Sequence, residues 1–316
     1  MAYLDALTYV LMVTVPVFIL VFLGGALKYF KHIDEAFIKT ASALVFNVCL
    51  PVLLFISILN NQVDLSVYGS LVVFCLAAAF VAFVVLWLAS AYWVESQDRG
   101  VVVQGAFRSN LGIIGLALCA KGFGAEGVAV GAVILAVVTP LYNVLSIYAL
   151  THSLPGKAKL SVASVLLDIV KNPLIITIAL ALLASELSFS LPVLVADAAQ
   201  YLAAMTLPLA LIAIGGALSL KELKATSGIS LQVVAIKLIL IPLLVGFIAY
   251  RLGFTGVELG CILLMFASPT ATASFIMVRA MGGNYPLASN IIVISTLFSA
   301  VSISLLLYVA KVLLWI

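Results

Sequence analysis

The chain has 316 residues, 66% of them hydrophobic and only 9% charged, with a formal net charge of +3 and a mean hydropathy of +1.34. A water-soluble domain averages about 45–50% apolar and about 25% charged residues, so these values exclude one and make lipid the solvent. The small, scattered positive charge also excludes a basic block suited to nucleic acid.

A hydrocarbon core about 30 Å thick needs roughly 20 apolar residues per helix. The opening MAYLDALTYV lacks a positive n-region and a small-residue cleavage site, so the first apolar run is expected to be retained as a span. Ten spans follow, at about 7–29, 36–59, 67–94, 101–120, 126–150, 162–185, 196–219, 230–251, 256–278 and 286–314. Short loops join them and leave no room for a soluble domain. Cys49, Cys75, Cys119 and Cys261 all fall in apolar runs without paired spacing. They read as packing residues, with no disulfide framework or metal site.

Lys28, Lys31, Lys39, Arg99, Lys157, Lys159, Lys171, Lys221, Lys224 and Arg279 fall at alternate loops, whereas Lys121, Arg251 and Lys311 fall on the other face. Because cytosolic loops carry the excess of Lys and Arg, both termini are expected outside the cytosol.

The chain repeats itself at about half its length. LPVLLFISI at Leu50 resembles LPLALIAIG at Leu207. AKGFG ending at Gly124 aligns with RAMGG at a spacing near 158, placing Lys121 on Arg279 and Gly124 on Gly282. Two repeats, 1–158 and 159–316, would each hold five spans, and an odd number inverts the second in the membrane. Inverted repeats are a transporter signature, with the site near the midplane at discontinuous helices. The expected fold is therefore an all-α integral membrane protein of ten helices in two inverted repeats, with broken helices four and nine crossing at the midplane.

The same spacing sets FASPTATASF (Phe266 to Phe275) of span nine opposite RSNLGIIGLA (Arg108 to Ala117) of span four. Both stretches are rich in small residues, and Gly112, Gly115 and Pro269 are the helix breakers. Proline removes a backbone donor, and unpaired backbone at membrane depth survives only buried in protein or lining a cavity. Two half-helix N-termini meeting there favour an anion. Taken singly, either stretch reads more readily as close helix packing.

SNLGIIGLALCAKGFG resembles the fourth span of the auxin efflux carrier family, and FASPTATASFIMVRAMGGNYPLASNIIVISTLFS resembles its ninth and tenth. IGGALSL at Ile214 and IKLILIPLL at Ile236 are similar to its seventh and eighth. The resemblance implies the fold of bile-acid sodium symporters. Spans one, two, six and seven would form a scaffold, and spans three to five and eight to ten a mobile transport domain. It places the substrate carboxylate at the crossing of spans four and nine, and it implies a homodimer through the scaffold. Plant members export auxin, and bacterial relatives are associated with malonate, malate and similar acids. Here Ala117 and Ser274 stand where plant members have crossover prolines, and the long cytosolic loop of many plant carriers is missing. Both departures argue against auxin. The implied setting is a bacterial inner or plasma membrane.

Asn110 is the leading candidate for a ligand-binding amide, with Ser268, Thr270, Thr272 and Ser274 as counterparts across the pseudo-two-fold. Any one hydroxyl is more often bonded to its own helix. Arg108, about two turns into span four, reads equally as attracting an anion or as snorkelling to the headgroups. Gln104 precedes it by one turn, and Gly112 and Gly115 extend the stripe along a face suited to a water-filled path. Lys237 reads either as a carboxylate or proton-switching group or as a tie to freed carbonyls. Asn47, Asn143 and Asn290 read as buried interhelical amides.

No acidic residue lies in either crossover core, since Glu126, Asp168 and Glu258 fall near span ends. Related proton antiporters use a buried aspartate there, so cation–proton exchange is disfavoured. No phosphate-loop motif is present, no nucleophile has a base at a known spacing, and His32 and His152 lack metal-ligand spacing. The expectation is a secondary carrier of small organic anions with an elevator-like mechanism, no cofactor and no enzymatic activity. The alternatives are a sodium- or proton-coupled symporter of a carboxylate or bile-acid-like anion, and a ligand-binding receptor or channel.

Overall fold

The computed structural model describes residues 2–61, 68–154, 171, 173–187, 189–218 and 228–316. Lys157, Lys159, Lys221, Lys224 and Asp168, which entered the charge reading, lie outside these residues, as does the start of the expected sixth span. The described chain is helical throughout, and its only β-type pairing is a single isolated bridge.

Helix α1 (Ala2–Tyr29) carries Pro16 in its interior. Helix α2 (Glu35–Leu44) opens on Asp34, whose side chain accepts from the Phe37 N–H at 2.7 Å, a cap that satisfies one of the first-turn donors. It passes through a π-helical turn (Val45–Cys49) into α3 (Leu50–Asn61). Then follow α4 (Gly69–Ser90), α5 (Ser96–Phe107), a second π turn (Leu111–Gly115), α6 (Leu116–Ser153), α7 (Pro173–Glu186) and α8 (Val193–Ala217). Helix α9 (Gly228–Ala235), a third π turn (Ile236–Leu240) and α10 (Ile241–Arg251) run on as one rod. Helices α11 (Gly256–Ala267), α12 (Ala273–Ala280) and α13 (Tyr285–Val312) complete the chain.

Among the described residues, seven helical runs are long and apolar enough to cross a membrane, and two shorter apolar helices, α7 and α11, accompany them. The expected fourth and fifth spans join without a gap: Leu111–Ser153 is helical over 43 residues, as two helices that meet at a kink. Straight, it would measure about 65 Å, twice the hydrocarbon core. It is not straight, because Gly124 adopts φ 62° and ψ −142°, a left-handed conformation that glycine tolerates. A Cβ placed on Gly131 would meet Leu116 at 3.0 Å and Cys119 at 3.6 Å. Along a straight helix Gly131 and Cys119 would stand about 18 Å apart. The run therefore doubles back at Gly124.

The tightest helix pair is α1 against α8. A methyl on Gly215 would overlap the Val21 carbonyl oxygen, and one on Gly24 would overlap that of Ile212. Small residues let two backbones touch where lipid supplies no hydrophobic drive between helices. Helix α3 packs on α7 and α8, whereas α6 packs on α4, α5 and α11. Helices α5 and α11 are interior elements. Gly100 to Phe107 and Leu259 to Ala267 are buried without interruption, so both are covered by protein on every side.

Candidate functional site

Both interior helices stop short and continue as extended backbone. Arg108 follows α5 at φ −84°, ψ 105°, and Ser268 follows α11 at φ −57°, ψ 144°. The two stretches meet antiparallel. The Asn110 N–H donates to the Pro269 carbonyl at 2.8 Å, and the Ala271 N–H donates to the Arg108 carbonyl at 3.1 Å. Ser109 faces Thr270. The facing residues lie 161 positions apart, three more than the spacing near 158 that the sequence suggests. The first break also differs from expectation. It falls at Arg108–Asn110, and Gly112 and Gly115 lie beyond it in the π turn Leu111–Gly115. Cross-pairing with the second arm interrupts the first arm, which needs no glycine or proline at the break.

A broken helix leaves carbonyls without their usual donors four residues on, and buried ones must find others. Ser109 sits in the bridge, and the Gly105 carbonyl instead accepts from the Thr270 hydroxyl at 2.6 Å. In the other arm Pro269 has no N–H, and the Thr270 N–H donates to the Ser295 hydroxyl at 3.1 Å. The Phe266 carbonyl accepts from the Ser109 hydroxyl at 3.4 Å and from Lys237 Nζ at 3.2 Å. Lys237 Nζ also donates to the Ser109 hydroxyl, and the lysine is 0% exposed. Of its two sequence readings, the structure displays the tie to a freed carbonyl.

Arg108 does not snorkel. It is 6% exposed, and its guanidinium donates to Asn143 Oδ1 at 2.6 Å and to Ser146 Oγ at 3.4 Å, both on α6. Its Nη1 also lies 3.7 Å from Met277 Sδ on α12, where Gln104 Nε2 arrives at 3.2 Å. Gln104 Oε1 and the Ser274 hydroxyl are buried without a hydrogen-bond partner among the described residues. Gln104 and Arg108 thus gather around one sulfur, and Ser274 stands one turn before Met277 on the same helix. The expected stripe through Gly112 and Gly115 is cut by the break; Gln104 is closed off at 0% exposure, whereas Gly112 is half-buried.

These contacts sort the candidate residues. The Ser268 hydroxyl donates to the Leu264 carbonyl of its own helix at 2.8 Å, and that of Thr270 is committed to Gly105, so both are framework. Asn110 and Thr272 make no side-chain cap, and the Asn110 amide bonds to no described residue while being 7% exposed. A Cβ on Gly115 would stand 2.7 Å from Met265 Sδ and 3.0 Å from Ser268 Oγ, which makes Gly115 a point of close approach between the arms. A Cβ on Gly112 would meet Leu135 at 3.3 Å and Leu50 at 3.8 Å.

Residues 9–307 match the family model described as Membrane transport protein. The chain belongs to the auxin efflux carrier family. It is an integral membrane transporter of that type, and no curated protein matches its sequence.

Beside the first arm of α6 the transporter holds a cavity of about 520 Å³, walled by α1, α3, α6 and α8 and lined by Pro16, Leu53, Ala117, Lys121, Gln200 and Pro208 among others. Sequence reasoning missed three residues of the crossing: Ser109, Met277 and Ser295. Ser109 was the most accessible of them, being next to Asn110 in the quoted motif, but the assumed spacing of 158 set it against Ala267. Asn143 fulfils the interhelical role expected of it, through Arg108. Asn47 does not: it is exposed and donates to the Ala43 carbonyl of its own helix at 2.9 Å, as polar side chains commonly do. Asn290 is buried at 2%.

Proposed function

We propose that the protein is a secondary carrier of small organic anions, with the anionic group bound where the two broken helices cross. The observation that carries this reading is charge. Arg108 and Lys237 bring two cations into the buried crossing, and among the described residues the one ion pair is Lys28–Glu35 at 2.6 Å. An uncompensated buried charge costs several kcal/mol, and a substrate carboxylate would offset that cost while bound. The uncapped half-helix starting at Leu111 adds partial positive charge and free N–H groups. In this reading the Asn110 amide donates to the carboxylate, Arg108 attracts it, and Gln104, Thr272 and Ser274 supply further polar contacts. The cavity beside Ala117 and Lys121 is the approach from the other side.

Alternating access follows from an elevator-like movement of α4–α6 and α9–α13 against α1–α3, α7 and α8. The close backbone contact of α1 with α8 holds the latter group together, and the packing of α6 with α4, α5 and α11 the former. Contacts of α1 on α13 and α3 on α6 form the surfaces between them. Both termini lie outside the cytosol, and the scaffold is the surface for a homodimer. Membrane potential is a sufficient driving force, since expelling one negative charge is downhill by about 2.3 kcal/mol per 100 mV.

Counterflow tests the reading. Proteoliposomes loaded with unlabelled carboxylate should accumulate the labelled form from outside, saturably. A protein that binds the label without exchange is a receptor, and that result would remove the carrier reading.

A further inference from the structure

The backbone and hydroxyl bonds that close the crossing pair across a local two-fold. The Thr270 hydroxyl reaches the Gly105 carbonyl directly at 2.6 Å, and the equivalent bond from Ser109 to the Phe266 carbonyl is long, at 3.4 Å. Both atoms of that longer bond are also held by Lys237 Nζ. Among the described residues Lys237 has no counterpart at the Thr270 hydroxyl and the Gly105 carbonyl. We infer that the Lys237 ammonium is a built-in monovalent cation, filling between Ser109 Oγ and the Phe266 carbonyl a place that an alkali cation would otherwise occupy, so that the transporter needs no inorganic cation there.

The surroundings fit a cation and not merely a long donor. Phe266 lies at the C-terminal end of α11, where unpaired carbonyls carry the negative end of the helix dipole. A hydroxyl and a backbone carbonyl are hard oxygen ligands of the kind alkali and alkaline-earth ions accept. The lysine stands in the π turn Ile236–Leu240, and such turns recur at functional positions in helices. Of the two donors to the Phe266 carbonyl, Ser109 and Lys237, only Lys237 brings a charge. Removing its side chain while keeping both oxygens should uncover a cation site.

Melting of the full-length protein in detergent, in sodium, potassium, methylammonium or choline chloride at equal ionic strength, tests this without any transported substrate. Wild type should melt at the same temperature in all four. Lys237→Ala should melt lower in choline and be raised by several degrees, saturably, by at least one of the three smaller cations. Lys237→Met, which refills the space with an apolar chain, should stay low in every salt. If Lys237→Ala does not fold, Lys237→Ser, whose side chain is equally short, is measured in the same way with the same expectation. Wild type stabilised saturably by sodium, or an alanine or serine variant indifferent to all four salts, would overturn the inference. Those outcomes would leave the anion reading intact, because counterflow tests that reading separately.

Discussion

Arg108 and Lys237 carry the same charge into the same buried region without a carboxylate, but they end on different kinds of partner. Lys237 terminates on the crossing itself, on Ser109 and the Phe266 carbonyl. Arg108 terminates on side chains of neighbouring helices, Asn143 and Ser146 of α6 and Met277 of α12. A cation bonded to a backbone carbonyl is part of the frame, because that carbonyl is fixed by the helix it ends. A cation held by side chains can be shared, since amides, hydroxyls and thioethers re-pair at little cost. The contacts make Lys237 part of the crossing's frame, and under the proposed anion reading Arg108 is the residue that meets what enters it.

Replacing Lys237 with methionine should have the largest effect on stability. It removes Lys237's bonds to the Phe266 carbonyl and Ser109 hydroxyl and leaves these two only their long mutual bond, a loss of about 1–3 kcal/mol. Thermal melting in micelles reads this as a clear drop, and unchanged melting would return Lys237 to mere packing. Replacing Arg108 with glutamine should lower stability less but weaken substrate binding by roughly tenfold to a hundredfold, the range of a charged hydrogen bond at about 1.5–3 kcal/mol. Lysine at 108 should recover only part of the loss, because it lacks the planar fork that reaches two partners. Asn110→Ala should cost about 1 kcal/mol of affinity, a roughly fivefold rise in half-saturation. Its melting temperature should not move, since the amide has no partner to lose among the described residues. Ser268→Ala should stay within about 0.5 kcal/mol of wild type in both measurements, because its hydroxyl bonds only to its own helix.

Much of the architecture was legible in the sequence because apolar length is a strong signal in lipid. The broken second arm was also legible, since Pro269 cannot donate and the hydroxyl residues around it stand out. The first arm was misread for a physical reason. Its break comes from pairing with residues 161 positions away, a tertiary cause that leaves no mark on the local sequence, so the nearby glycines received the credit. The same three-residue slip hid Ser109. Gly124 was visible as a glycine, but not as the one left-handed residue on which a 43-residue helical run turns back. Arg108 could not be resolved from sequence because its partners, Asn143 and Ser146, come from the returning half of that run.

The most direct test of an anion held at the crossing is charge movement across proteoliposomes on adding a panel of mono- and dicarboxylates, for wild type, Asn110→Ala and Arg108→Gln. The account predicts a saturable current carried by at least one carboxylate, with half-saturation raised in both variants and more so in Arg108→Gln. A saturable current with the same half-saturation in all three proteins would contradict it and place the substrate away from the crossing.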